Sequence, residues 1–136
     1  MSKIEYLRVI VNNKCNLSCF FCHREGERCV DRLIDVDQES LVKMINILAE
    51  CGIRKVKFLG GEPTLCRQLP DVISDLRQNN DLYISMITNG VVTKNVIDRF
   101  CDAGINKINI SLHGYNGDVF ESVTGGTQKQ LRQTLD

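Results

Sequence analysis

Net charge is the first thing this chain lacks: seventeen Lys and Arg residues balance seventeen Asp and Glu. No block of like charge runs along it, so neither a nucleic-acid arm nor a basic membrane patch is expected. No apolar run approaches the ~20 residues that a bilayer span needs. The Met1–Glu5 start has no apolar signal core, which makes a cytoplasmic protein the expectation. Low-complexity tracts and linkers are also missing, so the 136 residues read as one domain, 1–136. That is short for a closed (βα) barrel, which typically takes ~250 residues.

Cysteine is plentiful by contrast. Seven is a high and odd count, and in a reducing compartment it points to metal ligation or buried thiols rather than disulfides. Three stand close together in Cys15-Asn16-Leu17-Ser18-Cys19-Phe20-Phe21-Cys22. Three thiolates on one loop can hold three irons of a four-iron cluster and leave the last iron open to a small chelating molecule. Zinc is the rival, since Cys29 could be a fourth ligand, and Cys19-Phe20-Phe21-Cys22 has the outline of a redox dithiol. Cys51 and Cys101, at helix ends before glycines, read as small packing residues, and Cys66 reads as an exposed start of a helix.

Strand and helix signals alternate. Tyr6–Asn12 reads as a buried strand, Arg54–Leu59 as a second, Leu82–Ile87 as a third and Lys107–Leu112 as a fourth. Between them, Asp37 looks like the cap of a helix carrying Leu41, Met44, Ile45 and Leu48 on one face. A second helix is expected over Leu69–Arg77 and a third from a Thr93 cap through Cys101, closed by Gly104. A last helical stretch begins near Asp118. Strands separated by helices argue for parallel βα units with right-handed crossovers. The active edge of such units is the rim at the strands' C-terminal ends. The cysteine loop, Gly60-Gly61-Glu62-Pro63, Thr88-Asn89-Gly90 and Ser111-Leu112-His113 all fall there.

Two adjacent glycines let backbone approach a ligand with no Cβ in the way, and Glu62 adds a charge beside carbonyls that would suit a primary ammonium. The same residues could form an ordinary turn, with Glu62 at the start of a helical segment. Asn89-Gly90 could likewise be a plain turn, and His113 a structural histidine. His23-Arg24-Glu25 reads as solvated, although Arg24 could meet an anionic substrate.

Together these motifs, in this order and spacing over nearly the whole chain, make the sequence resemble the radical S-adenosylmethionine (radical SAM) enzymes. The resemblance implies a partial TIM-like barrel of (βα)6 type, of which this chain would supply about the first four βα units. It implies a [4Fe-4S] cluster on Cys15, Cys19 and Cys22, and S-adenosylmethionine held by Phe21, Gly60, Gly61, Glu62, Thr88, Asn89 and Ser111. The chemistry implied is reductive cleavage of S-adenosylmethionine to methionine and a 5′-deoxyadenosyl radical, fed by a low-potential electron donor.

Within the family, Cys19-Phe20-Phe21-Cys22-His23-Arg24-Glu25-Gly26 and Phe120-Glu121-Ser122-Val123-Thr124-Gly125 are most similar to the GTP 3′,8-cyclases of molybdenum cofactor biosynthesis, archaeal ones especially. A small-molecule substrate, GTP, is the expectation. Gly-Gly-Glu-Pro-Thr-Leu and Ser-Leu-His-Gly also occur in peptide-modifying members, so a peptide substrate stays open, as does a non-catalytic iron–sulfur module or a zinc-stabilised domain. Four units leave the fourth strand's outer edge unpaired, with Ile108, Ile110 and Leu112 short of partners, so self-association through that edge is expected.

Overall fold

A computed structural model of the chain describes residues 4–22 and 37–136. Four strands, β1 (Tyr6–Ile10), β2 (Lys55–Leu59), β3 (Tyr83–Thr88) and β4 (Lys107–Ile110), form one sheet in the order β1-β2-β3-β4, every pair parallel. Helices α1 (Gln38–Glu50), α2 (Leu69–Asn79) and α3 (Lys94–Asp102) make the crossovers, and α4 (Gly117–Thr124) and α5 (Gln128–Leu135) follow β4. A single 3₁₀ turn, Pro63–Leu65, stands between β2 and α2. The fold is the expected α/β run of four βα units, and all four strands end on one rim.

Alternation along each strand sorts the two faces. Val9, Val56, Phe58, Ile84 and Met86 point toward the helices and form the main core with Leu41, Ile45, Leu69, Ile73, Leu76 and Phe100. Burying each large apolar side chain there is worth roughly 1.5–3 kcal/mol, which is why the helices lie against this face. The opposite, concave face mixes cations with aromatic and apolar side chains, Tyr6, Ile10, Tyr83 and Ile87 among them. Arg8 lies beside Lys57, Lys57 beside Ser85, and Ser85 beside Lys107. Lys55 sits one step lower, between Tyr6 and Tyr83. Tyr6–Ile10 is therefore half-buried, not a buried strand throughout, because only its odd-numbered residues meet helices.

Other boundaries differ for local reasons. Asp37 caps α1 as expected, its carboxylate accepting from the Ser40 N–H at 2.8 Å; hydrogen bonding from Ser40 holds that carboxyl below its ordinary pKa. Leu41, Ile45 and Ala49 are the buried positions of α1, and Met44 is exposed, since it falls outside the stripe that faces the sheet. Thr93 occupies the cap position of α3 but makes no side-chain cap bond. Cys51 and Cys101 are exposed, whereas Cys66 is buried in the turn before α2, the reverse of what their sequence positions suggest. The C-terminal stretch is two helices because Gly125 takes a left-handed conformation (φ 64°) that ends α4, and Thr127 opens α5 with a capping box to Gln130.

β4 is short and its edge is open. Ile110 and Leu112 are about half exposed, at 56% and 49%. A second, smaller core of Val91, Phe120 and Leu131, with Leu17 against it, holds α4 and α5 to the rim.

Candidate functional site

The site is assembled by backbone pairing that outlasts the strands. Beyond β1 and β2 the two chains stay together: the Val11 N–H donates to the Leu59 carbonyl (2.9 Å), the Gly61 N–H to Asn12 (3.0 Å) and the Glu62 N–H to Lys14 (2.6 Å). Asn12 Nδ2 returns a bond to the Glu62 carbonyl at 3.0 Å. The cysteine loop is thus laid directly over the glycine turn. A Cβ on Gly61 would stand well inside contact with the Lys14 carbonyl, and one on Gly60 would lie 2.7 Å from Asn12 Oδ1. The first approach that demands glycine here is made by the cysteine loop's own backbone.

Glu62 is 1% exposed and both of its carboxylate oxygens are engaged. Oε1 accepts from the Thr64 N–H (3.1 Å) and from the Thr64 and Thr88 hydroxyls (both 2.7 Å), while Oε2 accepts from the Asn89 N–H (2.8 Å). Thr88, also buried, accepts in turn from the Gly90 N–H at 3.1 Å. One buried carboxylate therefore ties the end of β2 to the end of β3. A buried charge is tolerated only with such a full set of donors.

Asn89 carries the tie onward to the cysteines. Its Nδ2 donates to Asn16 Oδ1 at 2.8 Å and lies 3.8 Å from Cys15 Sγ, and its Oδ1 accepts from the Val91 N–H. Asn16 Nδ2 donates to the Val91 carbonyl. From the other side, α4 and α5 hold the same loop: the Ser18 and Phe20 N–H groups donate to Thr124 and Val123 carbonyls, Gln130 to Asn16, and Thr134 to Asn89.

The three thiols share this loop. Cys15 and Cys22 are exposed and Cys19 is half-buried, and the Cys22 N–H donates to the Cys19 carbonyl at 3.0 Å. Loss of water contact pushes the Cys15 thiol pKa up, the Leu17 N–H works against that, and the charges of Glu62 and Cys22 add to it. Cys19 is also pushed up, by burial first and then by Cys15 and Cys22. Among the described residues no group of three or more His, Cys, Asp or Glu closes on a single-ion position. Three thiols on one loop, two of them exposed, are a donor set that suits a multi-iron group, which spreads its ligands over separate metals. Cys29, His23, Arg24 and Glu25 lie outside the described residues.

On the far side of the rim, Phe21 packs edge-on against His113, with ring centroids 4.8 Å apart. Ser111 is half-buried, and its N–H donates to the Thr88 carbonyl at 2.8 Å. The structure thus brings Cys15, Cys19, Cys22, Phe21, Gly60, Gly61, Glu62, Thr88, Asn89 and Ser111 to one rim. Glu62 and Thr88 sit behind it with their polar atoms committed to protein partners. Sequence reasoning missed Asn12, Asn16 and Thr64, whose partners are up to 75 residues away. It also missed the cations of the concave face. The alternation Lys55-Val56-Lys57-Phe58 was the available signal.

These features define the class. The description of the Radical SAM superfamily matches residues 9–136, and the chain belongs to that superfamily, whose members use a [4Fe-4S] cluster and S-adenosylmethionine. Among curated proteins, a probable GTP 3′,8-cyclase of Sulfolobus acidocaldarius is 46% identical over 123 residues, covering 90% of this chain and 39% of that protein. One from Archaeoglobus fulgidus is 36% identical, covering 91% and 40%. The chain spans about two fifths of the length of these relatives. Among solved structures, Streptococcus suis SuiB bound to S-adenosylmethionine superposes with a TM-score of 0.77 at 17% identity, over 95% of this chain and 30% of that one. BtrN in complex with AdoMet and 2-DOIA gives 0.68 at 21%, over 98% and 56%. These likenesses show the partial TIM-like barrel fold.

Proposed function

We propose that this chain is the cluster- and S-adenosylmethionine-binding part of a radical SAM enzyme of the GTP 3′,8-cyclase kind, with a nucleoside triphosphate as substrate. Cys15, Cys19 and Cys22 hold the [4Fe-4S] cluster. When bound and reduced, the cluster supplies the electron that cleaves S-adenosylmethionine to methionine and a 5′-deoxyadenosyl radical. The chain's own residues bind and orient. Gly60 and Gly61 present their backbone to the methionine end, Phe21 flanks the adenine, and Ser111 and Asn89 meet the ribose and carboxylate. Glu62 and Thr88 hold the glycine turn and the Asn89 backbone in place from behind.

The observation that carries the substrate class is the concave face. Lys57 and Lys107 lie on one cross-strand row, either side of Ser85, with Lys55 next to it, and no carboxylate stands among the described strand residues of that face. Cations gathered on one face concentrate an anion, and a triphosphate can meet several cations at once.

Anaerobic reconstitution tests the cofactor half: about four irons and four sulfides per chain are expected, lost in a Cys15→Ala/Cys19→Ala/Cys22→Ala variant and kept in Cys101→Ala. Retention of full iron by the triple variant would refute the ligand set. For the substrate half, equilibrium dialysis should show GTP binding that a Lys57→Glu change weakens about tenfold or more. Guanosine, which lacks phosphates, should be indifferent to that change. Equal losses for GTP and guanosine would remove the phosphate role of this row.

A further inference from the structure

The side-chain amide of Asn89 is turned toward the Cys15 sulfur, and Val91 fixes that orientation from both ends of its own backbone. The Val91 N–H donates to Asn89 Oδ1 at 2.9 Å, and the Val91 carbonyl accepts from Asn16 Nδ2 at 2.8 Å. An amide oxygen accepts and an amide nitrogen donates, so neither side chain can be flipped without losing a bond. Asn89 Nδ2 is left facing Asn16 Oδ1 at 2.8 Å and Cys15 Sγ at 3.8 Å. The Asn89 backbone is held too: its N–H donates to Glu62 Oε2, and its carbonyl accepts from the Thr134 hydroxyl. One N–H of the amide therefore braces the cysteine loop, and the other is aimed at sulfur.

The three thiols do not share these surroundings. Cys15 also accepts hydrogen bonds from the backbone of Leu17 and Asn16, so donors from two segments of the chain converge on it. At Cys19 the backbone hydrogen bond comes from Cys19 itself. Cys15 also feels the negative charge of Glu62, buried behind the turn. A negative charge close to an iron–sulfur group makes an added electron harder to hold. An N–H aimed at a ligating sulfur makes it easier, because the reduced group carries more negative charge on its sulfurs.

We propose that Asn89 acts through Cys15 to raise the reduction potential of the cluster, its Nδ2–H offsetting the charge of Glu62. The inference rests on the reading that Cys15, Cys19 and Cys22 hold a [4Fe-4S] cluster. It adds a role to Asn89 and removes none. An amide oxygen has two lone pairs, and Oδ1 gives one to Val91, so the same side chain can meet S-adenosylmethionine on its oxygen side.

The test is the midpoint potential of the anaerobically reconstituted protein, poised electrochemically and followed by the EPR signal of the reduced cluster, with no S-adenosylmethionine present. Asn89→Ser is neutral, and its side chain ends one atom short of the amide nitrogen. It should lower the midpoint by about 59 mV, a tenfold loss in the one-electron reduction equilibrium. Asn16→Ala, which removes the acceptor that steadies Asn89 Nδ2, should lower it by less. Asn79→Ser, at the exposed end of α2, should leave it unchanged. Iron and sulfide content and circular dichroism show that each variant is loaded and folded. A second measurement needs no variant. Wild-type protein carrying nitrogen-15 in its asparagine side-chain amides should show a nitrogen coupling to the reduced cluster in pulsed EPR. An unshifted midpoint in cluster-loaded Asn89→Ser overturns the proposal, and so does a wild-type cluster with no such coupling. A wild-type chain that takes up no iron sinks the cluster reading and this inference with it.

Discussion

The first three βα units and the fourth are held by different means. β1, β2 and β3 with α1, α2 and α3 share one continuous apolar core whose central residues, Val56, Phe58, Ile84 and Met86, are completely buried. β4 pairs with β3 and sets Ile108 against that core, whereas α4 and α5 are joined to the rim by a cluster of Val91, Phe120 and Leu131 and by hydrogen bonds to the cysteine loop. The first region has most of its contacts in that core, away from the cysteine loop. The second has its best contacts at the site, so order in α4 and α5 and order in the cysteine loop are one event. Substitutions can therefore weigh the core against the rim, with Glu62 serving both.

The largest expected effect is Phe58→Ala, which should cost about 3–5 kcal/mol, comparable to the whole stability of a small domain, and show as loss of the cooperative urea transition. Phe120→Ala should instead speed hydrogen exchange in α4, α5 and residues 16–20 while leaving exchange in β2 and β3 slow. Equal loss of protection everywhere would make the two regions one unit.

Glu62→Gln comes next, at roughly 2–3 kcal/mol, because a neutral amide cannot accept from Thr64, Thr88 and Asn89 together. Urea melts measure the loss, and an unchanged midpoint would deny the carboxylate its role in joining β2 to β3.

Gly61→Val should leave the main core intact and displace the cysteine loop, since its side chain would enter the space of the Lys14 backbone. Iron uptake should fall with little change in the melt. A variant that takes up full iron and fails only to respond to S-adenosylmethionine by EPR would put the glycine's function on the ligand side alone.

Ile110→Lys should change monomer stability by less than about 0.5 kcal/mol, because the residue is exposed. It should shift any self-association through the β4 edge toward monomer in size-exclusion chromatography, since an edge cation opposes strand pairing. Unaltered association would place the contact elsewhere.

The smallest effect concerns pH. Cys15 and Cys19 titrate above the ordinary thiol value of 9.0, so the folded metal-free protein keeps their protons longer than the unfolded chain does. Their contribution to stability is present below that value and is lost as pH rises through the folded pKa. Alkylation of these two thiols near pH 9 should therefore be slower in the folded protein than in urea.

Much of this was legible in the linear sequence. Repeating strand and helix patterns placed four parallel βα units, and the cysteine spacing and glycine turn placed the rim. What was not legible has a common cause. Met44 sits on the apolar side of α1 by residue type, yet the sheet it must meet lies a little further around the helix. Cys66 looks like a helix start and is buried because the 3₁₀ turn folds it under. Glu62 reads as a charge offered to a ligand, and its partners Thr88 and Asn89 lie on another strand.

By itself the sequence determined which chemistry can be present: three thiols on one loop, a glycine pair where backbones must nearly touch, and a run of parallel strands to align them. Those are local properties of residue type and spacing, and they survive in any fold that keeps the order. Only the tertiary structure decided which polar atoms are already committed and which face a ligand. It also decided that cations scattered through the chain gather on one face of the sheet. Such assignments depend on which distant segments meet, and no short-range pattern carries that information.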